Sequence, residues 1–151
     1  MSHVLPCDEF PQAPAVAGMV APSVRSELLR LFRALEGLGA TPRVYGSFGW
    51  QLLTGLEYVS ATSDLDLLLS ASNPSNADDI ARAMSAAQPG RLRLDGELRF
   101  PSGAAVAWRE WLQWRARTVD RVLVKRLDGV AMVQDGACFE EACAEQGASG
   151  R

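Results

Sequence analysis

The sequence predicts a small α/β (α+β mixed) domain in which one mixed sheet is flanked by helices. Three observations carry this expectation. Apolar residues recur at three- and four-residue steps from Ser23 to Leu38, the period of one helix face. The apolar run Leu67-Leu68-Leu69 closes a segment of strand length that begins at Asp64, and suggests burial on both faces. Arg91 to Phe100 alternates between apolar and charged residues, the period of a half-buried strand.

Residues 1–22 hold four of the eight prolines (Pro6, Pro11, Pro14 and Pro22) and read as an unfolded lead-in. The domain proper is read as residues 23–133. Val24, Leu28, Leu31, Leu35 and Leu38 line one face of its first helix, which Pro22 or Ser23 opens and Gly37, Gly39 and Pro42 close. Arg43-Val44-Tyr45 is a short strand running into Gly46-Ser47. Phe48 to Thr54 is a short helix ended by Gly55, and Ser60 to Ser63 is loop. Asp64 to Leu69 is the next strand. Asn76 is expected to cap a helix to Ala87, with Asp78 and Asp79 in its first turn, where the helix dipole favours them. In the strand Arg91–Phe100, Leu92, Leu94, Leu98 and Phe100 share one face; Arg91, Arg93, Asp95, Glu97 and Arg99 share the other. Pro101-Ser102-Gly103 turns the chain into a strand at Ala104–Trp108, followed by a short helix or loop at Arg109–Arg115. Val122–Val124 and Val130–Val133 flank Leu127-Asp128-Gly129, a hairpin signal. Residues 134–151 read as a weak helix or a frayed tail.

Composition excludes several classes. The chain has 151 residues, 48% hydrophobic and 22% charged, with 15 Lys+Arg against 18 Asp+Glu and a net charge of −3. A chain of this size can bury its own core. No apolar run is long enough to span a membrane, and no signal peptide is read at the start. The mild acidity offers no basic stripe for nucleic acid. Cys7, Cys138 and Cys143 are odd in number, which fits a reducing, cytoplasmic compartment, and Cys138 and Cys143 lack zinc spacing and read as inert. The only histidine is His3. That rules out a Ser-His-Asp or Cys-His engine, and leaves carboxylates, hydroxyls, Lys, Arg and backbone amides to carry any chemistry.

Those groups converge in one place in the sequence. Gly46-Ser47 sits between a strand and a helix, where free backbone N–H groups and a hydroxyl can hold a phosphate. Asp64 and Asp66 stand at i and i+2 of a strand and project to one side, with Leu65 turned inward. Paired carboxylates repel unless a cation lies between them, and hard oxygen ligands suit Mg²⁺. A phosphate cradle, a metal clamp and a third acid are the parts of metal-assisted nucleotidyl transfer. Asp95 is the preferred third acid and Glu97 the fallback; the competing reading pairs both with Arg93 and Arg99 on a solvated face. Lys125 ends an apolar strand and is either a phosphate ligand or a solvated edge lysine. Trp108, Trp111 and Trp114 read as packing residues rather than a stacking platform, and Trp50 as core.

With these residues in view, Val44 to Tyr58, containing Gly46-Ser47 and the stretch Trp50-Gln51-x-x-Thr54-Gly55-x-x-Tyr58, followed by Ser63-Asp64-Leu65-Asp66-Leu67-Leu68-Leu69, resembles the phosphoribosyl-dephospho-CoA transferases of malonate decarboxylase, also called holo-acyl-carrier-protein synthases. Asp95 to Trp111 and Val122 to Lys125 are similar too. The Gly-Ser and Asp-x-Asp parts are common to polymerase-β-like nucleotidyltransferases; the Trp-Gln stretch points to this branch. The resemblance implies that fold and a Mg²⁺-dependent reaction. A serine of the decarboxylase's acyl carrier protein attacks triphosphoribosyl-dephospho-CoA, pyrophosphate leaves, and the prosthetic group stays on the carrier through a phosphodiester. It also implies that Gly46 and Ser47 hold the leaving phosphates. Asp64 and Asp66 bind Mg²⁺, and Asp95 completes the metal and acid set and helps the serine lose its proton. Family members usually carry a further N-terminal domain, which the chain is read as lacking. Two other functions remain open on the residues: a small nucleotidyltransferase using ATP on a small molecule, a tRNA end or a protein, and a non-catalytic remnant that binds partners.

Overall fold

A computed structural model of the chain describes residues 10–87 and 89–140. After a 3-10 segment at Ala13–Met19, the elements are α1 (Pro22–Gly37), β1 (Arg43–Tyr45), α2 (Gly46–Thr54), β2 (Leu65–Ser70), α3 (Pro74–Ala86), β3 (Leu94–Arg99), β4 (Ala105–Ala107), α4 (Trp108–Arg115), β5 (Val122–Arg126), β6 (Gly129–Val133) and α5 (Ala137–Glu140). The strands form one six-stranded sheet whose spatial order is the chain order, β1 to β6. Only β2 and β3 pair in parallel, joined through α3; every other pair is antiparallel. The mixed α/β class is therefore as expected from sequence.

Alternation along the strands places the core. Leu65, Leu67 and Leu69 of β2 and Leu94 and Leu98 of β3 are buried, and they pack in one cluster with Leu28, Leu31, Phe32 and Leu35 of α1 and Ile80 and Met84 of α3. The second face of β2 is less covered than Leu67-Leu68-Leu69 suggests, because Leu68 is only half-buried. Gly96 allows β2 and β3 to approach closely: its φ is +151°, and a Cβ there would overlap the carbonyl oxygen of Leu67.

Several local expectations are corrected. The reading of residues 1–22 as an unfolded lead-in does not hold for the described part. Val44 N donates to Pro11 O at 2.8 Å and Ala13 N donates to Pro42 O at 3.0 Å, so this segment covers the outer edge of β1. Ala13 and Val16 are fully buried, and Arg25 Nε donates to Ala17 O at 2.8 Å. Prolines here restrict the chain and lower the entropy that ordering costs, rather than preventing order. Asn73, not Asn76, caps α3, accepting from Asn76 N at 2.8 Å. The Asn76 side chain instead donates to Leu38 O at 2.9 Å, tying α3 to the end of α1. The earlier start moves Asp78 out of the first turn, and its carboxylate reaches α4. It accepts from Trp111 Nε1 and from both Nε and Nη2 of Arg115, each at 2.9 Å. Trp50 is not core: it is 37% exposed and meets Phe10 edge-on.

Trp111 and Trp114 pack as expected, in a cluster with Phe100 and Phe139. Phe139, within the segment read as tail, is buried there. Residues 141–151, His3, Cys7 and Cys143 lie outside the described residues. Among those described, no helix is long and apolar enough to cross a membrane.

Candidate active site

The face of the sheet opposite the core carries the chemistry-bearing residues, and register decides which of them meet. Tyr45 of β1 pairs with Asp66 of β2, and Asp66 pairs with Asp95 of β3. Directly opposed residues share a face, so these three side chains form one row across three strands. Leu65, Leu67 and Leu94, their chain neighbours, point into the core. Glu97 stands one pleat further on, opposite Leu68 of β2 and Ala107 of β4.

The turn from β1 into α2 presses on this row. Gly46 is the first residue of α2 and has φ +65°, a conformation natural to glycine. A Cβ on Gly46 would overlap Oδ2 of Asp66. The first turn of α2, including Ser47, thus begins against the Asp66 carboxylate. The side chain of its N-cap residue, Tyr45, makes no capping hydrogen bond, and among the described residues its first N–H groups can face an anionic ligand.

Crowding of like charges shapes the electrostatics. Burial, then the neighbouring carboxylates of Asp95, Asp64 and Glu97, push Asp66 up to about 6 from 3.8. Burial, then Glu97, Asp66 and Asp95, push the Tyr45 phenol above its ordinary value. The phenol therefore keeps its proton at neutral pH and is a hydrogen-bond donor facing the acids.

Each proposed acid has its own surroundings. Asp64 lies just before β2, at the margin of the row, with Arg93 Nε 3.9 Å from its Oδ2. Asp95 Oδ1 accepts from Gly96 N at 2.9 Å and has Arg109 Nη1 3.8 Å away. The Arg109 guanidinium lies over the Trp108 indole, 4.4 Å from the ring centre. Glu97 accepts from Lys125 Nζ. Lys125 reaches it diagonally across β4, where the residues on that face are Ala105 and Ala107. Lys125 is thus not an edge lysine, since β6 lies outside β5. The pairing of Asp95 or Glu97 with Arg93 that a solvated face would give is replaced by these partners.

The structure therefore brings Gly46, Asp66 and Asp95 together, places Ser47 next to them and Asp64 at their edge, and ties Glu97 and Lys125 to each other one pleat away. Sequence reasoning missed Tyr45 and Arg109. Tyr45 had one signal, its place one residue beyond the inward Val44, but only strand register sets it against Asp66. Among the described residues no three His, Cys, Asp or Glu side chains converge into a ready metal cage. The donors that do share a position, Asp66 and Asp95, are hard oxygens crowded enough to raise Asp66. That fits Mg²⁺, which takes one or two carboxylates and completes its shell with phosphate and water.

Comparison with known proteins bears on what this arrangement belongs to. Residues 12–136 match the profile of the phosphoribosyl-dephospho-CoA transferase MdcG C-terminal domain. A phosphoribosyl-dephospho-CoA transferase of Xanthomonas campestris pv. campestris is 39% identical over 132 residues, covering 87% of this chain and 60% of that protein. One of Pseudomonas aeruginosa is 34% identical over 128 residues, 81% of this chain and 59% of that protein. One of Bradyrhizobium diazoefficiens is 48% identical over 69 residues, 45% of this chain and 30% of that protein. The chain spans about three-fifths of the length of the Xanthomonas campestris relative. No solved structure matches. With 125 consecutive positions (12–136) falling within that profile, the chain belongs to the family of the phosphoribosyl-dephospho-CoA transferase MdcG C-terminal domain.

Proposed function

We propose that this chain is the catalytic, polymerase-β-like nucleotidyltransferase domain of a phosphoribosyl-dephospho-CoA transferase. Its donor is triphosphoribosyl-dephospho-CoA, and its acceptor is a serine of the malonate decarboxylase acyl carrier protein. The observation that carries this is the register row Tyr45–Asp66–Asp95 with Gly46 packed on Asp66. It sets two acids beside an open helix start, which suits a triphosphate approaching a hydroxyl. The names of the relatives, phosphoribosyl-dephospho-CoA transferases, support the choice of the transferred group.

In this reading Gly46, Ser47 and the open amides of α2 hold the leaving phosphates. Tyr45 donates a hydrogen bond to a phosphoryl oxygen. The serine Oγ attacks the phosphorus nearest the ribose; its new P–O bond forms as the bond to pyrophosphate breaks, and Asp95 takes the hydroxyl proton. Asp66 and Asp95, with Asp64 at the margin, would hold Mg²⁺, which when bound supplies positive charge against the phosphoryl oxygens. Lys125 balances Glu97 and adds positive charge toward the phosphates.

The test is transfer of a labelled donor group to the apo carrier protein with Mg²⁺, with ATP as the competing donor. Labelling of the carrier from the dephospho-CoA derivative and not from ATP is the expected result. Labelling from ATP alone would make the chain a different nucleotidyltransferase.

A further inference from the structure

The Trp50-Gln51-x-x-Thr54-Gly55-x-x-Tyr58 stretch takes no part in the carboxylate row, yet Gln51 and Thr54 both bond to its backbone. Gln51 Oε1 accepts from Tyr58 N at 3.0 Å and from Val59 N at 2.9 Å. Thr54 Oγ1 donates to Trp50 O at 2.7 Å and accepts from Leu56 N at 3.1 Å. Together they fold the segment between α2 and β2 back onto α2. Ser63 Oγ, accepting from Ser60 N at 2.8 Å, tightens the far end just before Asp64.

The segment held in this way is one wall of a cavity of about 600 Å³. Val24 of α1 and Phe48 of α2 give it apolar lining, and Arg91, Arg93 and Asp64 also line it. A volume of this order holds a nucleotide-sized ligand. An apolar floor suits a heterocycle, and guanidinium groups suit phosphate oxygens. Arg93 is 3.9 Å from Asp64, beyond hydrogen-bond length, so its N–H fork is not committed to that carboxylate. Asp64 borders the cavity and stands two residues before Asp66, so the cavity opens beside the margin of the carboxylate row.

We propose that this cavity binds the nucleoside-diphosphate part of the donor, and that Gln51 is a positioning residue that sets donor affinity by holding the cavity wall. This rests on the transferase reading above. Gln51 touches no reacting atom; it acts through the backbone of Tyr58 and Val59. The Trp-Gln-x-x-Thr-Gly-x-x-Tyr pattern is thereby explained as a clamp on a binding wall.

The experiment is calorimetric titration of dephospho-CoA into the chain, with donor KM and kcat measured alongside in carrier labelling. The parent is expected to bind saturably. Gln51→Leu removes the acceptor and should weaken binding and raise donor KM by about tenfold, with kcat within about twofold. Gln51→Glu keeps the Oε acceptor and should restore both to within about threefold of the parent. Arg93→Gln changes an exposed side chain and stays testable even if Gln51→Leu does not fold; it should weaken binding about fivefold or more. No saturable binding by the parent, or parental affinity in both Gln51→Leu and Arg93→Gln, overturns the proposal. Saturable binding without carrier labelling overturns the transferase reading and leaves the cavity assignment standing. Labelling with unchanged donor KM in both variants does the reverse.

Discussion

Gly46 lies against the carboxylate of Asp66 so closely that any Cβ on the glycine would occupy the place of Oδ2. The helix that offers its amides and the acid at the centre of the row are therefore positioned by each other. Gly46→Ala meets both this overlap and a φ of +65°. It should cost about 2 kcal/mol or more and displace Asp66, so that carrier labelling collapses. Gly39→Ala is the control: φ is +77° with nothing within 4 Å, so it should cost about 1 kcal/mol of backbone strain and leave labelling intact. Urea unfolding and the labelling assay check both. Equal labelling by the two variants would sink the role given to Gly46.

Asp66→Asn keeps the shape of the side chain and removes its charge. Labelling should fall on the order of a thousandfold, about 4 kcal/mol of barrier, if that charge holds the metal in the proposed transfer. Above pH 6 and without added metal, the variant should melt higher than the parent, since repulsion from Asp95, Asp64 and Glu97 is relieved. A variant that labels the carrier as well as the parent removes Asp66 from the mechanism.

Asp66 also sets a pH dependence with a definite sign. Its carboxyl stands at about 6 in the fold against an ordinary 3.8. Between these values the folded chain holds a proton that the unfolded chain has lost, so this group makes stability fall as pH rises from about 4 to about 6. Solvent screening limits the effect to on the order of 1 kcal/mol. The melting-temperature gap between Asp66→Asn and the parent should widen across that window and stay constant above it. Millimolar Mg²⁺ should narrow the gap. A gap independent of pH is the contrary result.

The bridge from Lys125 to Glu97 leads to a double-variant test. Lys125→Met leaves Glu97 as one more uncompensated carboxylate near Asp66, and should cost about 1 kcal/mol. Adding Glu97→Gln should recover that stability. Labelling should remain about tenfold down in the double variant, because the positive charge proposed to face the phosphates is still missing. Recovery of labelling along with stability would reduce Lys125 to a counter-charge for Glu97.

Away from the site, Asp78 joins α3 to α4 by accepting from the buried Trp111 indole and both arms of Arg115. Asp78→Ala leaves that indole N–H without its acceptor, and should cost about 2–3 kcal/mol in urea unfolding. Asp78→Asn keeps an acceptor and should lose roughly half as much. Labelling below the melting temperature should be unchanged in both.

The order of elements could be read from the chain because its signals are local. Arg43–Tyr45 stands as a strand between Pro42 and Gly46, and α2 stops where Gly55 takes a φ of +76°. Alternation likewise told which way Asp66, Asp95 and Glu97 point. It did not tell what they meet, because neighbours across a sheet depend on register. Tyr45 enters the row only through its pairing with Asp66. Lys125 reaches Glu97 only because β4 presents the small residues Ala105 and Ala107 between them. The proline-rich start was misread for a related reason: the carbonyls of Pro11 and Pro42 accept hydrogen bonds from Val44 and Ala13, and composition alone does not reveal an acceptor in use.

The strand order from β1 to β6 has a consequence for how the protein is made. A sheet that follows chain order can be laid down one strand at a time as a ribosome releases the polypeptide. Tyr45, Asp66, Asp95 and Glu97 have all been synthesised by the end of β3, whereas Arg109 and Lys125 follow it. The nascent sheet therefore holds Asp95 and Glu97 before it has Arg109 and Lys125, the cations that stand beside them in the finished fold. The later half of the chain thus completes the charge balance of Asp95 and Glu97 as it completes the sheet.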